Sequence, residues 1–166
     1  MTETELLTHI VGTARAAGGV VAVHGSGDDA VAELSLPGDE LGRGRPMWVS
    51  THEIQHDLGP SSSLLASFVV DLPYRAEPDR LDDVYRAAAI LNAHRPVGHF
   101  GVEPDGSLSF RYPLVVAIDQ LPPEQMIIDL IALLTEEQFT LGDYLEGVCE
   151  GEVSVLVLDE VLRSEP

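Results

Sequence analysis

The sequence predicts an α+β fold, an antiparallel sheet with helices packed on one face. Three observations carry that expectation: apolar residues at helical spacing in several separate segments, β-rich runs between them, and a tight hairpin pattern lodged between two helices. The resulting order is helix, strands, helix, hairpin, helix. With 166 residues, 45% of them apolar, a single domain over residues 1–166 can build a core without disulfides or a structural metal.

The first helix opens at Thr2, which has Glu5 three residues on, the spacing of a capping box. Leu6, Ile10, Ala14 and Ala17 follow at helical spacing until Gly18-Gly19 supplies a stop. Val20 to His24 and Ala30 to Leu36 are β-rich and read as a hairpin around the turn-forming cluster Gly25-Ser26-Gly27-Asp28-Asp29. That cluster lacks the lysine of a phosphate loop, so a plain turn is the better reading. Residues 37 to 46, with repeated Gly and Pro and both Arg43 and Arg45, show neither period and read as a surface loop. Met47 to Ile54 and Leu64 to Leu72 read as strands, and in the second Leu64, Ala66, Phe68, Val70 and Leu72 share one parity.

The second helix starts near Pro78, aligns Leu81, Val84, Ala88 and Leu91, and ends before Arg95 because Pro96 disfavours helical geometry behind it. Acids in its first turn, Asp79, Asp82 and Asp83, complement the helix dipole. A three-residue connection, Pro104-Asp105-Gly106, then pairs Val102 with Leu108 and Phe100 with Phe110. In that register Phe100, Val102, Leu108 and Phe110 share the inner face, while His99, Glu103, Ser109 and Arg111 share the outer one. Pro122-Pro123-Glu124 opens a third helix in which Met126, Ile127, Ile128, Leu130, Ile131, Leu133 and Leu134 leave almost no polar face. Such a helix needs cover on more than one side, from the sheet and from the tail or a second subunit. Helix is expected to continue from Thr135 to Cys149, broken or bent near Gly142. In the tail, residues 152–166, the stretch Val153 to Leu162 admits either strand or helix, since its valines favour the first and its length the second.

Leu91-Asn92 at a helix end, followed by Gly98-His99-Phe100-Gly101-Val102-Glu103-Pro104-Asp105-Gly106-Ser107-Leu108-Ser109-Phe110-Arg111-Tyr112-Pro113-Leu114 and a long apolar helix, resembles the YbjN-like family, whose fold is that of the type III secretion chaperones. The resemblance covers about residues 84 to 134. It implies a small acidic homodimer that binds other proteins without chemistry, and it does not imply secretion. The apparent strand at Leu64 to Leu72 and the long tail depart from the secretion chaperones.

Twenty-eight acidic residues against 9 basic ones leave a formal charge of −19, which repels phosphate backbones and anionic lipid. Nucleic-acid and membrane-surface roles are therefore not expected. No run approaches the roughly 18 apolar residues of a membrane span, and Met1 to Gly19 carries acids where a signal peptide needs basic residues. The single Cys149 makes no internal bridge and has no basic neighbour in sequence to activate it, so a cytoplasmic location and a buried, inert thiol are expected.

One string has the letters of a catalytic motif: His52-Glu53-Ile54-Gln55-His56. In zinc peptidases this spacing is about one helical turn, so both imidazoles reach one metal and the glutamate polarises its water. Trp48, Val49, Thr51 and Ile54 instead favour a strand, along which residues four apart are separated by roughly 13 Å, too far to share an ion. Gly59 follows the motif as in its extended form, but Ser62 stands where a third ligand belongs; Asp71 or Glu77 are the downstream alternatives. Two functional readings follow. The leading one is a non-enzymatic homodimer that holds a segment of a partner protein, with Met126, Ile127, Ile131, Leu130 and Leu134 as the candidate binding or dimer surface and no cofactor. The alternative is a small zinc hydrolase with His52 and His56 as ligands and Glu53 as general base.

Overall fold

The computed structural model describes residues 1–37, 42–55, 62–94 and 97–164. The elements run α1 (Glu3–Ala16), β1 (Val20–His24), a single 3-10 turn (Gly27–Asp29), β2 (Val31–Leu36), β3 (Arg45–Gln55), β4 (Ser62–Arg75), α2 (Leu81–His94), β5 (His99–Val102), β6 (Ser107–Ala117), α3 (Glu124–Glu150) and α4 (Val155–Ser164). The strands form a six-stranded antiparallel sheet in the order β1-β2-β3-β4-β6-β5, so the fold is α+β. By compactness the chain divides into two units, one of residues 1–69 and 112–133, the other of residues 70–111 and 134–166.

In the first unit α1 begins with the complete capping box: the Glu5 N–H donates to Thr2 Oγ1 at 3.2 Å and the Thr2 N–H donates to Glu5 Oε2 at 2.8 Å. Leu6, Leu7, Ile10, Val11 and Ala14 are buried. Ala17 is exposed, because it is the cap beyond the last helical turn and no longer follows the stripe. The β1–β2 hairpin pairs Val20 with Ser35 through His24 with Val31, and β2 continues onto β3 through Ala32–Val49, Glu33–Trp48 and Leu34–Met47. Ala32, Leu34, Met47 and Val49 thus share the face on which α1 lies, and Thr51 Oγ1 fixes that packing by donating to the Glu3 carbonyl at 3.0 Å. The opposite face carries Glu33, Trp48 and His24, whose Nε2 is 2.8 Å from Glu33 Oε2.

The expected loop at 37–46 is corrected at its end. Arg45 and Pro46 belong to β3, and Arg45 is only 1% exposed. Strand parity explains this, since Arg45 falls on the same face as Met47, Val49 and Thr51. Pro46 stands near the start of the strand, where a missing donor disturbs the ladder least.

In the second unit the β5–β6 register is Phe100–Phe110 and Val102–Leu108, as the turn spacing predicts. The Gly106 N–H donates to the Glu103 carbonyl at 2.9 Å, with Gly106 at a φ of 85°. The rings of Phe100 and Phe110 lie 4.9 Å apart and tilted by 50°, a favourable aromatic contact. Ser109 is on the expected outer parity but is buried: Arg111 covers it, donating from Nε to Ser109 Oγ at 2.8 Å and from Nη2 to Glu103 Oε1 at 2.5 Å. Val84, Ala87, Ala88 and Leu91 form the buried stripe of α2, which ends at His94.

Helix α3 runs from Glu124 to Glu150 as one element, so of the expected break or bend near Gly142 the break does not occur. The carbonyl of Gly142 accepts the Tyr74 hydroxyl at 2.7 Å. The ambiguous tail is helix α4. Leu158 and Leu162 turn inward one helical turn apart, and Ser154 Oγ accepts the Val157 N–H at 3.3 Å as an N-cap, so amphipathic burial outweighs the strand preference of the valines.

Candidate protein-binding surface

The backbone at the catalytic-looking string is extended through Gln55, and His56 lies outside the described residues. His52 and Glu53 are successive strand residues, so their side chains project from opposite faces. Both are exposed, and the Glu53 N–H donates to Glu3 Oε1 at 2.5 Å. The helical turn that brings the histidines of such a motif together is thus not formed over His52 to Gln55. Among the described residues no three His, Cys, Asp or Glu side chains group as a metal site, Asp71 and Glu77 included.

Cys149 is 6% exposed. Burial, with Glu146 and Glu150 adding to it, pushes its thiol up to about 11, so it is protonated and unreactive at neutral pH. The turn at Gly25 to Asp29 is a local turn with Thr4 Oγ1 donating to Asp28 at 3.3 Å. His94 and His99 are exposed.

The apolar helix start separates into two roles. Ile127, Leu130 and Leu134 are 0%, 9% and 1% exposed: they belong to the core and offer no surface to a partner. Sequence periodicity alone places them in the apolar set, and their burial within the folded chain assigns them. Ile131 is half-buried, and Met126 and Leu133 are exposed. At 100° per residue Met126 and Leu133 fall on one flank of the helix, Ile128 and Ala132 on the other, with Gln125 and Asp129 as a polar ridge between them. Gln125 Nε2 donates to Asp129 Oδ1 at 2.7 Å, which holds that ridge.

Three apolar grooves open in the first unit, one of them walled in part by α3. One of about 670 Å³ lies between the start of α1 and the β6–α3 connection, lined by Thr4, Thr8, His9, Ile118 and Leu121; His9 Nε2 is 2.8 Å from the Pro122 carbonyl oxygen. A second, of about 220 Å³, is walled by Ala17, Val20, Leu36, Ile128, Ile131 and Ala132. The third, of about 290 Å³, is formed by Thr4, Thr8, Val11, Arg15, Val23 and Ala30. The last two flank β1, whose Val20 and Val23 are 70% and 46% exposed. Sequence reading missed this strand edge, although the uncharged run Val20-Val21-Ala22-Val23 in so acidic a chain is a visible signal. No helix among the described residues is long and apolar enough to cross a membrane. No protein-family model matches the chain, and no curated protein matches it.

Proposed function

We propose that the chain is a non-enzymatic protein-binding module that acts in the cytoplasm as a homodimer and holds a segment of a partner protein, in the manner of a chaperone or regulatory adaptor. The observation that carries the reading is the uncovered apolar flank of α3, where Met126 and Leu133 are 39% and 37% exposed, with Leu121 at 45% just before the helix. Large apolar side chains left in water in a row favour a partner over solvent. The formal charge of −19 keeps such a surface soluble and suits a partner segment with basic residues at the rim. The resemblance of residues 84 to 134 to the YbjN-like family supports the same reading, and the lone Cys149 agrees with a reducing compartment.

The test combines sedimentation velocity with affinity capture, using wild type and the double variant Met126→Glu/Leu133→Glu. A dimeric wild type that recovers a defined protein, lost in the variant while the fold persists, supports the proposal. A strictly monomeric wild type, or equal recovery by both, overturns it.

A further inference from the structure

Strand β1 is the end of the sheet, bonded only to β2 among the described residues. Its outward groups can be identified. Arg15, in the last turn of α1, donates from Nη2 to the Val21 carbonyl at 3.0 Å, which marks that carbonyl as turned away from β2. In an antiparallel ladder the N–H and C=O of one residue point the same way and the direction alternates, so Val21 and Val23 both present their backbone groups to the open side. The strand itself holds no Lys, Pro or bulge, the devices natural edges exposed to solvent ordinarily use; the Arg15 guanidinium touches its open side at the Val21 carbonyl. We infer that a second copy of this chain adds to that edge, β1 against β1, in antiparallel register about Ala22.

The geometry is self-complementary. A two-fold axis at Ala22 sets Val21 opposite the partner's Val23 and Val23 opposite the partner's Val21, so that both outward residues of each copy exchange backbone hydrogen bonds. The Val21 carbonyl has a second lone pair and accepts the new N–H beside Arg15. Charge permits the pairing. Of the 28 acidic residues none lies in β1, so no carboxylate within the strand opposes its approach to a second copy of net charge −19.

A specific interface buries roughly 1,200–2,000 Å² in total, more than a five-residue strand pair supplies, so the flanking grooves must take part. The same axis meets that need. It brings the groove at Val20, Ala17 and Ile128 of one copy against the groove at the other end of the partner's β1, and the reverse. This assignment rests on the homodimer proposed above and names its interface.

The test is sedimentation velocity on the full chain, with far-UV circular dichroism to verify the fold. Val23→Pro removes a single outward donor and leaves the β1–β2 ladder intact, since a proline is tolerated where its N–H would face solvent. Val20→Lys puts a charge beside the edge at a side chain already 70% exposed. Both variants are expected to fold and to raise the dimer dissociation constant at least about tenfold, since each dimer loses two hydrogen bonds or gains two buried-edge charges. Folded variants that dimerise as tightly as wild type overturn the edge assignment and leave the dimer itself standing. A wild type that is monomeric throughout overturns both, and one that is monomeric yet binds a synthetic Val-Val-Ala-Val-His peptide gives the edge to a foreign strand.

Discussion

Asn92 holds Phe100 by both backbone groups: its Oδ1 accepts the Phe100 N–H at 2.7 Å and its Nδ2 donates to the Phe100 carbonyl at 3.0 Å. One carboxamide at the end of α2 thus imitates a neighbouring strand for β5. This clip fixes where the hairpin leaves the helix, and with it the ring of Phe100 against Phe110. Replacing Asn92 by Ala strands a part-buried donor and acceptor together. A loss of about 2–4 kcal/mol is expected in urea unfolding, from two groups at about 1–2 kcal/mol each; Asn92→Asp, which keeps the acceptor, should lose less. Equal stability of Asn92→Ala and wild type would remove the clip from any account of the fold.

Two glycines should respond in opposite directions to the same change. Gly106 has a φ of 85°, and a Cβ there would run into the carbonyl oxygen of Ala76, whose N–H donates to the Gly106 carbonyl at 2.9 Å. Gly106→Ala should therefore cost at least about 2 kcal/mol, through backbone strain and the clash together. Gly12, in the interior of α1 with nothing within 4 Å of its Cβ position, gains from the same substitution: Gly12→Ala should stabilise by about 0.5–1 kcal/mol. Thermal melts of the two variants check both signs.

The Cys149 thiol should resist Ellman's reagent at pH 8 in the folded protein and react promptly once urea unfolds it. Its folded value of about 11 lies above its ordinary 9.0, so the unfolded chain releases the proton first. The associated stability is complete below pH 9.0 and is lost as pH rises toward about 11. Urea midpoints measured across that range should fall with pH in the wild type, and less steeply in Cys149→Ala.

Protein purified from zinc-supplemented cells should hold no stoichiometric zinc, and His52→Ala should leave both metal content and stability unchanged. Extended backbone through Gln55 is the reason. One zinc per chain, removed by His52→Ala, would restore the hydrolase reading.

Much of the fold was legible in local chemistry. The capping box of Thr2 and Glu5, the single parity of Leu64 to Leu72 and the Phe100–Phe110 register depend on neighbours a few residues apart, and each stands as the spacing implies. What escaped depends on contacts distant in sequence. Arg45 is polar and follows a Gly-rich run, so only its place on the α1 side of β3 reveals that it is buried. Strand and helix preference balance in the tail, and the burial of Leu158 and Leu162 tips it to helix. The candidate surface was legible as a set of apolar residues on α3 but not as a face, because periodicity cannot tell which of Met126 and Ile127 the core has already claimed.

Trp48 is the only tryptophan, and the centre of its ring system lies 5.7 Å from that of His24, the last residue of β1. Indole emission responds to what surrounds the ring, so fluorescence of the unlabelled protein works as a built-in optical gauge of whatever happens at that margin of the molecule. A neighbour seated against the strand should shield the ring from added iodide.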